Sequence, residues 1–139
     1  MVNVIHHLPS PGRYFKESIR VLRPGGRICT FTDSTEMIRR RKPLSRYWQV
    51  SAEADLARYP TVAALLEAMN QAGYVNVTAR EIKKTSLTAD ATPFRERAFS
   101  CLRLIDDLQF EKGLRLLEED LRKGPVRMTS ECVCIWGEA

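Results

Sequence analysis

An α/β fold with a parallel βαβ crossover is predicted by three features at the start of the chain. Val2 to Ile5 is a short apolar run rich in β-branched residues. Ser10 and Pro11 mark a helix start, because a serine side chain caps well and a proline in the first turn forfeits no hydrogen bond. Pro24, Gly25 and Gly26 then end that helix and let the backbone reverse into the extended run Arg27 to Thr32. A strand, a helix and a strand joined by so tight a return form a crossover in a parallel sheet.

The remaining elements follow from periodicity. In the first helix, Tyr14, Phe15, Ile19 and Leu22 share one face. Periodicity fades from Glu36 to Pro60, which reads as a connection with a short helix, carrying the basic run Arg39 to Lys42 and the aromatic pair Tyr47 and Trp48. Thr61 caps a helix with Val62, Leu65, Leu66 and Met69 on one side, and Gly73 ends it. Val75, Val77 and Ala79 alternate with Asn76, Thr78 and Arg80, the pattern of a strand extending to Ile82 with one face less buried. Thr92 and Pro93 open a helix expected to place Phe94, Ala98, Leu102 and Ile105 together. A further helix carries Phe110, Leu114, Leu117 and Leu121 until Gly124 and Pro125 stop it. Met128 to Trp136 is nearly all strand formers, with its centre at Cys132 to Trp136.

Composition fits one soluble domain: 139 residues, 44% hydrophobic and 28% charged. No apolar run approaches the roughly 20 residues that span a bilayer, and no basic region followed by a long apolar stretch opens the chain, so a cytoplasmic location is expected and a membrane is not a partner. The four cysteines, Cys29, Cys101, Cys132 and Cys134, have neither a CxxC spacing nor the density of a disulfide scaffold, and are expected as reduced, buried thiols. Cys132 and Cys134 lie on one strand face, yet with His6 and His7 they lack the spacing of a zinc site, so no metal is expected.

The string His6-His7-Leu8-Pro9, followed by Phe15-Lys16-Glu17-Ser18-Ile19-Arg20-Val21-Leu22-Arg23-Pro24-Gly25-Gly26-Arg27, closely resembles the fourth strand, next helix and fifth strand of class I S-adenosylmethionine-dependent methyltransferases. The helix ending at Ala72-Gly73-Tyr74, the strand from Val75 and the last strand resemble the final helix and the sixth and seventh strands of that fold. The resemblance implies an incomplete Rossmann-like methyltransferase fold over residues 1–139, with helices on the faces of a mixed sheet and 86–125 as a helical insertion before the last strand. It implies the order Val2–Ile5, Arg27–Thr32, last strand, Val75–Ile82, with the last strand antiparallel. The glycine-rich loop that cradles the cofactor in this family has no counterpart here, because the only glycine pair leads into a strand instead of a helix. The chain is therefore expected to be a carboxyl-terminal portion, with the activity of the isolated chain in doubt and cofactor affinity weak or absent.

In open α/β sheets, ligands bind outside the carboxyl ends of the strands. If the first two strands are neighbours, Asn3 to His7 and Thr32 to Thr35 meet there, gathering two imidazoles, a carboxylate and hydroxyls at one mouth. By the resemblance, cofactor contact falls to Asn3 and Val4. The base or substrate-facing role falls to His6 and His7, and Thr32, Asp33, Tyr47 and Trp48 face the substrate. Histidine, with an ordinary pKa near about 6.5, suits proton removal; alternatively the pair caps the strand end. The activity implied is methyl transfer from S-adenosylmethionine to a small-molecule acceptor, with the helices from Thr92 to Lys123 and the Glu36–Pro60 connection as substrate walls. The alternative is a non-catalytic module that binds a partner or itself through the sheet edge, since Val2–Ile5 has an interior sequence and would lie at an edge. Net charge is +5, yet a run such as Arg39–Lys42 is ordinarily a solvated loop, and nucleic acid is not the expected partner.

Overall fold

The computed structural model describes all residues 1–139. The first helix, α1 (Pro11–Val21), starts as its sequence dictates: the Ser10 side chain accepts from the Arg13 N–H. Gly25, at φ 74°, turns the chain into β1 (Arg27–Thr32). Three helices follow where one short helix was expected: α2 (Thr35–Arg40), α3 (Leu44–Tyr47) and α4 (Gln49–Leu56). The next helix, α5 (Val62–Ala72), is capped by Thr61, whose hydroxyl accepts from the Ala64 N–H, and ends on Gly73 at φ 100°. Then come β2 (Val75–Thr88), α6 (Thr92–Arg95), α7 (Asp107–Lys123) and β3 (Val126–Glu138).

The sheet order is β1-β3-β2, and β3 runs antiparallel to β1 from Arg27↔Glu138 to Thr32↔Val133. The last strand thus lies between the other two, as the resemblance implies. The expected first strand, Val2–Ile5, is reduced to a single parallel bridge, Val2↔Phe31. Asn3 adopts φ 50°, a left-handed conformation that asparagine tolerates better than most residues, and Ile5–His7 then curls into a 3-10 turn. The expected helix from Thr92 to Ile105 is also broken. Arg97 takes φ 48°, which no α-helix admits, so α6 stops and only a 3-10 turn at Ser100–Arg103 resumes it.

The chain divides into two compact units. The first comprises residues 1–35, 58–82 and 132–139. In it α1 packs on α5, and Phe15, Leu65, Met69, Tyr74, Val133 and Ile135 are buried. Tyr74 joins the two helices, its hydroxyl lying 2.8 Å from the Ser18 hydroxyl. Gly137 leaves room for this packing, since a Cβ there would stand 2.9 Å from Met69 and 3.2 Å from Tyr74. The second unit comprises residues 36–57 and 83–131. Its core holds Leu44, Trp48, Phe94, Leu102, Phe110 and Leu117. Trp48 stacks between Phe94 and Phe110 at 5.8 and 6.3 Å, and its indole N–H donates to the Phe110 carbonyl at 3.0 Å.

Candidate functional site

Within the first unit the start of the chain pairs with β1. The Asn3 N–H donates to the Phe31 carbonyl at 3.0 Å, and the Phe31 N–H donates to the Met1 carbonyl at 2.9 Å. These bonds run the start of the chain parallel to β1, so both segments leave the sheet at the same end. The Ile5–His7 turn and the Thr32–Ser34 segment follow those two segments in the chain.

The two histidines are not equivalent. His6 is buried, its ring stacked on Tyr59 at 3.9 Å with planes 15° apart, whereas His7 is exposed, 4.1 Å from His6 between centroids. A stacked, enclosed imidazole holds the turn; the exposed one can meet a ligand. Asn3 and Val4 are exposed on the outer side of β1, Val4 at 42%. Thr32, Asp33 and Ser34 are buried. Asp33 carries its charge into this region: burial first, then Asp33, then Cys134 push the Cys132 thiol up.

The aromatic pair lies in the second unit and has other work. Trp48 is 1% exposed, so its ring is core and offers a substrate no surface. Tyr47 is half-buried and donates its hydroxyl to Asp120 at 2.9 Å; burial and that bond push it up to about 12. The basic run is partly structural. Arg41 pairs with the buried Asp55 at 2.5 Å, and Arg40 pairs with Glu131 at 2.8 Å, which leaves Arg39 and Lys42 as its solvated members. Sequence reading missed Tyr59, because nothing in Arg58-Tyr59-Pro60 announces a ring partner as distant along the chain as His6.

For S-adenosylmethionine, the residues present do not amount to a site. The glycine pair Gly25-Gly26 forms the turn into β1, and the Gly26 N–H is used within that turn, donating to the Arg23 carbonyl at 2.7 Å.

A methyltransferase-domain family matches residues 1–79. That is more than half of the chain, and the chain belongs to this family. Two solved structures share its fold. One is a protein of Anabaena variabilis assigned as a methyltransferase of an antibiotic biosynthesis pathway, with 20% identity, a TM-score of 0.69, and coverage of 98% of this chain and 64% of that one. The other is a protein of Bacillus halodurans assigned as a methyltransferase, with 16% identity, a TM-score of 0.54, and coverage of 99% and 61%. The chain thus spans less than two thirds of the length of either structure. No curated protein matches it in sequence.

Proposed function

We propose that this chain forms the carboxyl-terminal portion of an S-adenosylmethionine-dependent methyltransferase acting on a small-molecule acceptor. The observation that supports this reading is the parallel bridge at Val2↔Phe31 within the family-matched region; in this reading His7 and Asp33 share one end of the sheet. In this reading Asn3 and Val4 flank the donor along the outer edge of β1. His7, the exposed imidazole, is the base, and His6 positions it through the Tyr59 stack. Asp33 lies beside the acceptor, Thr32 supports it from within the sheet, and Tyr47 and Trp48 act only as packing for the second unit. The chain alone lacks the glycine cradle, so it binds the donor weakly and does not turn over by itself.

A second reading, a self-associating module, is favoured by one specific observation. Val2 is 64% exposed and Val4 is 42% exposed along an edge that bears only one bridge. Apolar residues on an unpaired edge are a template for another chain. Calorimetric titration with S-adenosylmethionine, run beside light scattering, separates the readings. Weak or silent heat from a dimer or larger species is the expected result. Tight binding by a monodisperse monomer would overturn the view that the donor site is incomplete. A monomer that binds nothing would overturn the self-associating module.

A further inference from the structure

On the sheet face of the first unit opposite Val133 and Ile135, three cysteines, Cys29, Cys132 and Cys134, alternate with the buried residues of β1 and β3. Cys29 and Cys134 meet across the strands with their sulfurs 3.1 Å apart, although 105 positions separate them in sequence. Both are free thiols and both are half-buried. Beside them Arg27, Ile28, Cys29 and Trp136 line an open hollow of about 300 Å³, room enough for a small oxidant to reach the Cys29 sulfur.

We propose that Cys29 and Cys134 are a reversible oxidation site, closing to a disulfide in response to peroxide. The step balances. One sulfur of the pair displaces water from hydrogen peroxide and becomes a sulfenic acid; the other thiol then attacks that sulfur, the S–S bond forms and a second water leaves. Two thiols lose two hydrogens and two electrons, and the peroxide is reduced to two waters.

Reversibility follows from register. Cys29 faces Trp136 and Cys134 faces Phe31, so the two cysteines are diagonal rather than directly opposite. Diagonal neighbours stand farther apart than opposite pairs, and a bond between them is strained. Strained disulfides have more oxidising potentials and are the easily reduced ones. Cys132 competes poorly, since it shares a strand with Cys134, and Cys101 lies in the core of the second unit.

The test treats the reduced chain with hydrogen peroxide, counts free thiols and maps cross-linked peptides by mass spectrometry. Two of the four thiols should disappear, a peptide joining Cys29 to Cys134 should appear, and dithiothreitol should restore all four. Cys101→Ser and Cys132→Ser should leave the cross-link intact, whereas Cys29→Ser and Cys134→Ser should each abolish it. Since serine variants can fold poorly, the unaltered chain is also titrated with phenylarsine oxide, which bridges two adjacent thiols and should take up one equivalent. Four intact thiols after peroxide, a cross-link through Cys132 or Cys101, or no uptake of the arsenical would each overturn the proposal.

Discussion

Glu131 shows how a single residue ties a local segment together. Its side chain is only 5% exposed, yet it carries a charge held by Arg40 at 2.8 Å and Lys83 at 3.0 Å. Burial by itself would raise this carboxyl, but the Lys83 and Arg40 hydrogen bonds outweigh it and hold the group below the ordinary glutamate range. A depressed folded-state pKa contributes stability above the unfolded value, and that contribution fades as pH falls through the folded one. Glu131→Gln should therefore cost about 1–3 kcal/mol near neutral pH, and the difference from the parent chain should shrink in acid. Urea denaturation at pH 7 and below pH 4 reads both effects; a gap that stays constant with pH would contradict the assignment. Gly113 makes a purely steric case. A Cβ there would lie 2.3 Å from the Trp48 indole nitrogen and 2.6 Å from the Tyr47 carbonyl. Overpacking of this kind costs about 1–3 kcal/mol, so Gly113→Ala should lower the urea midpoint by that amount. In the first unit, the buried Thr30 hydroxyl has no hydrogen-bond partner. Thr30→Val keeps the shape and removes the desolvated hydroxyl, so it should raise stability by about 1 kcal/mol. An unchanged or lower midpoint would show that the hydroxyl is satisfied.

Among the elements, those whose ends are written in local chemistry form where the sequence puts them. Ser10 caps α1, Thr61 caps α5, and Asp106 caps α7 by accepting from the Gln109 N–H at 2.8 Å. Helix α7 is amphipathic, with Phe110, Gly113 and Leu117 buried and the charged residues outward. Removing a cap leaves a first-turn N–H without its partner, so Asp106→Ala should cost about 1 kcal/mol and Asp106→Ser should recover most of it. Equal losses from both substitutions, by thermal unfolding, would show that the carboxylate acts by charge and not as a cap. Two of the departures from the sequence reading at this scale share one cause. At Val2–Ile5 and at Thr92–Ile105 the apolar pattern is right, but Asn3 and Arg97 sit at positive φ and end the element. Neither residue is a glycine, so periodicity carries no mark of the break.

Across the molecule, the outer edge of β1 carries the largest consequence. Val2 and Val4 are exposed there, and the start of the chain is held by backbone bonds to Phe31 and by the terminal amine, which donates to the Cys29 carbonyl at 2.8 Å. A charge on an exposed edge opposes pairing with another chain. If the edge mediates association, Val2→Lys should shift the scattering mass toward the monomer and leave the unfolding midpoint nearly unchanged, because the side chain is already in solvent. A mass unaffected by the substitution would move the association to another surface. No helix is long and apolar enough to cross a membrane.

The sequence by itself determined the starts of α1 and α5 and the turn at Pro24-Gly25-Gly26, because caps and turns act over a few residues and are visible in a single reading, while the central place of the last strand and the family followed from the resemblance carried by His6 to Arg27. The tertiary structure decided what each of those residues is free to do. It stacked His6 on Tyr59, enclosed Trp48 against Phe94 and Phe110, absorbed Arg40 and Arg41 into ion pairs, and set Cys29 against Cys134. These outcomes depend on partners from 14 to 105 residues away, and the physical determinants of such contacts are packing and burial, which no local pattern encodes.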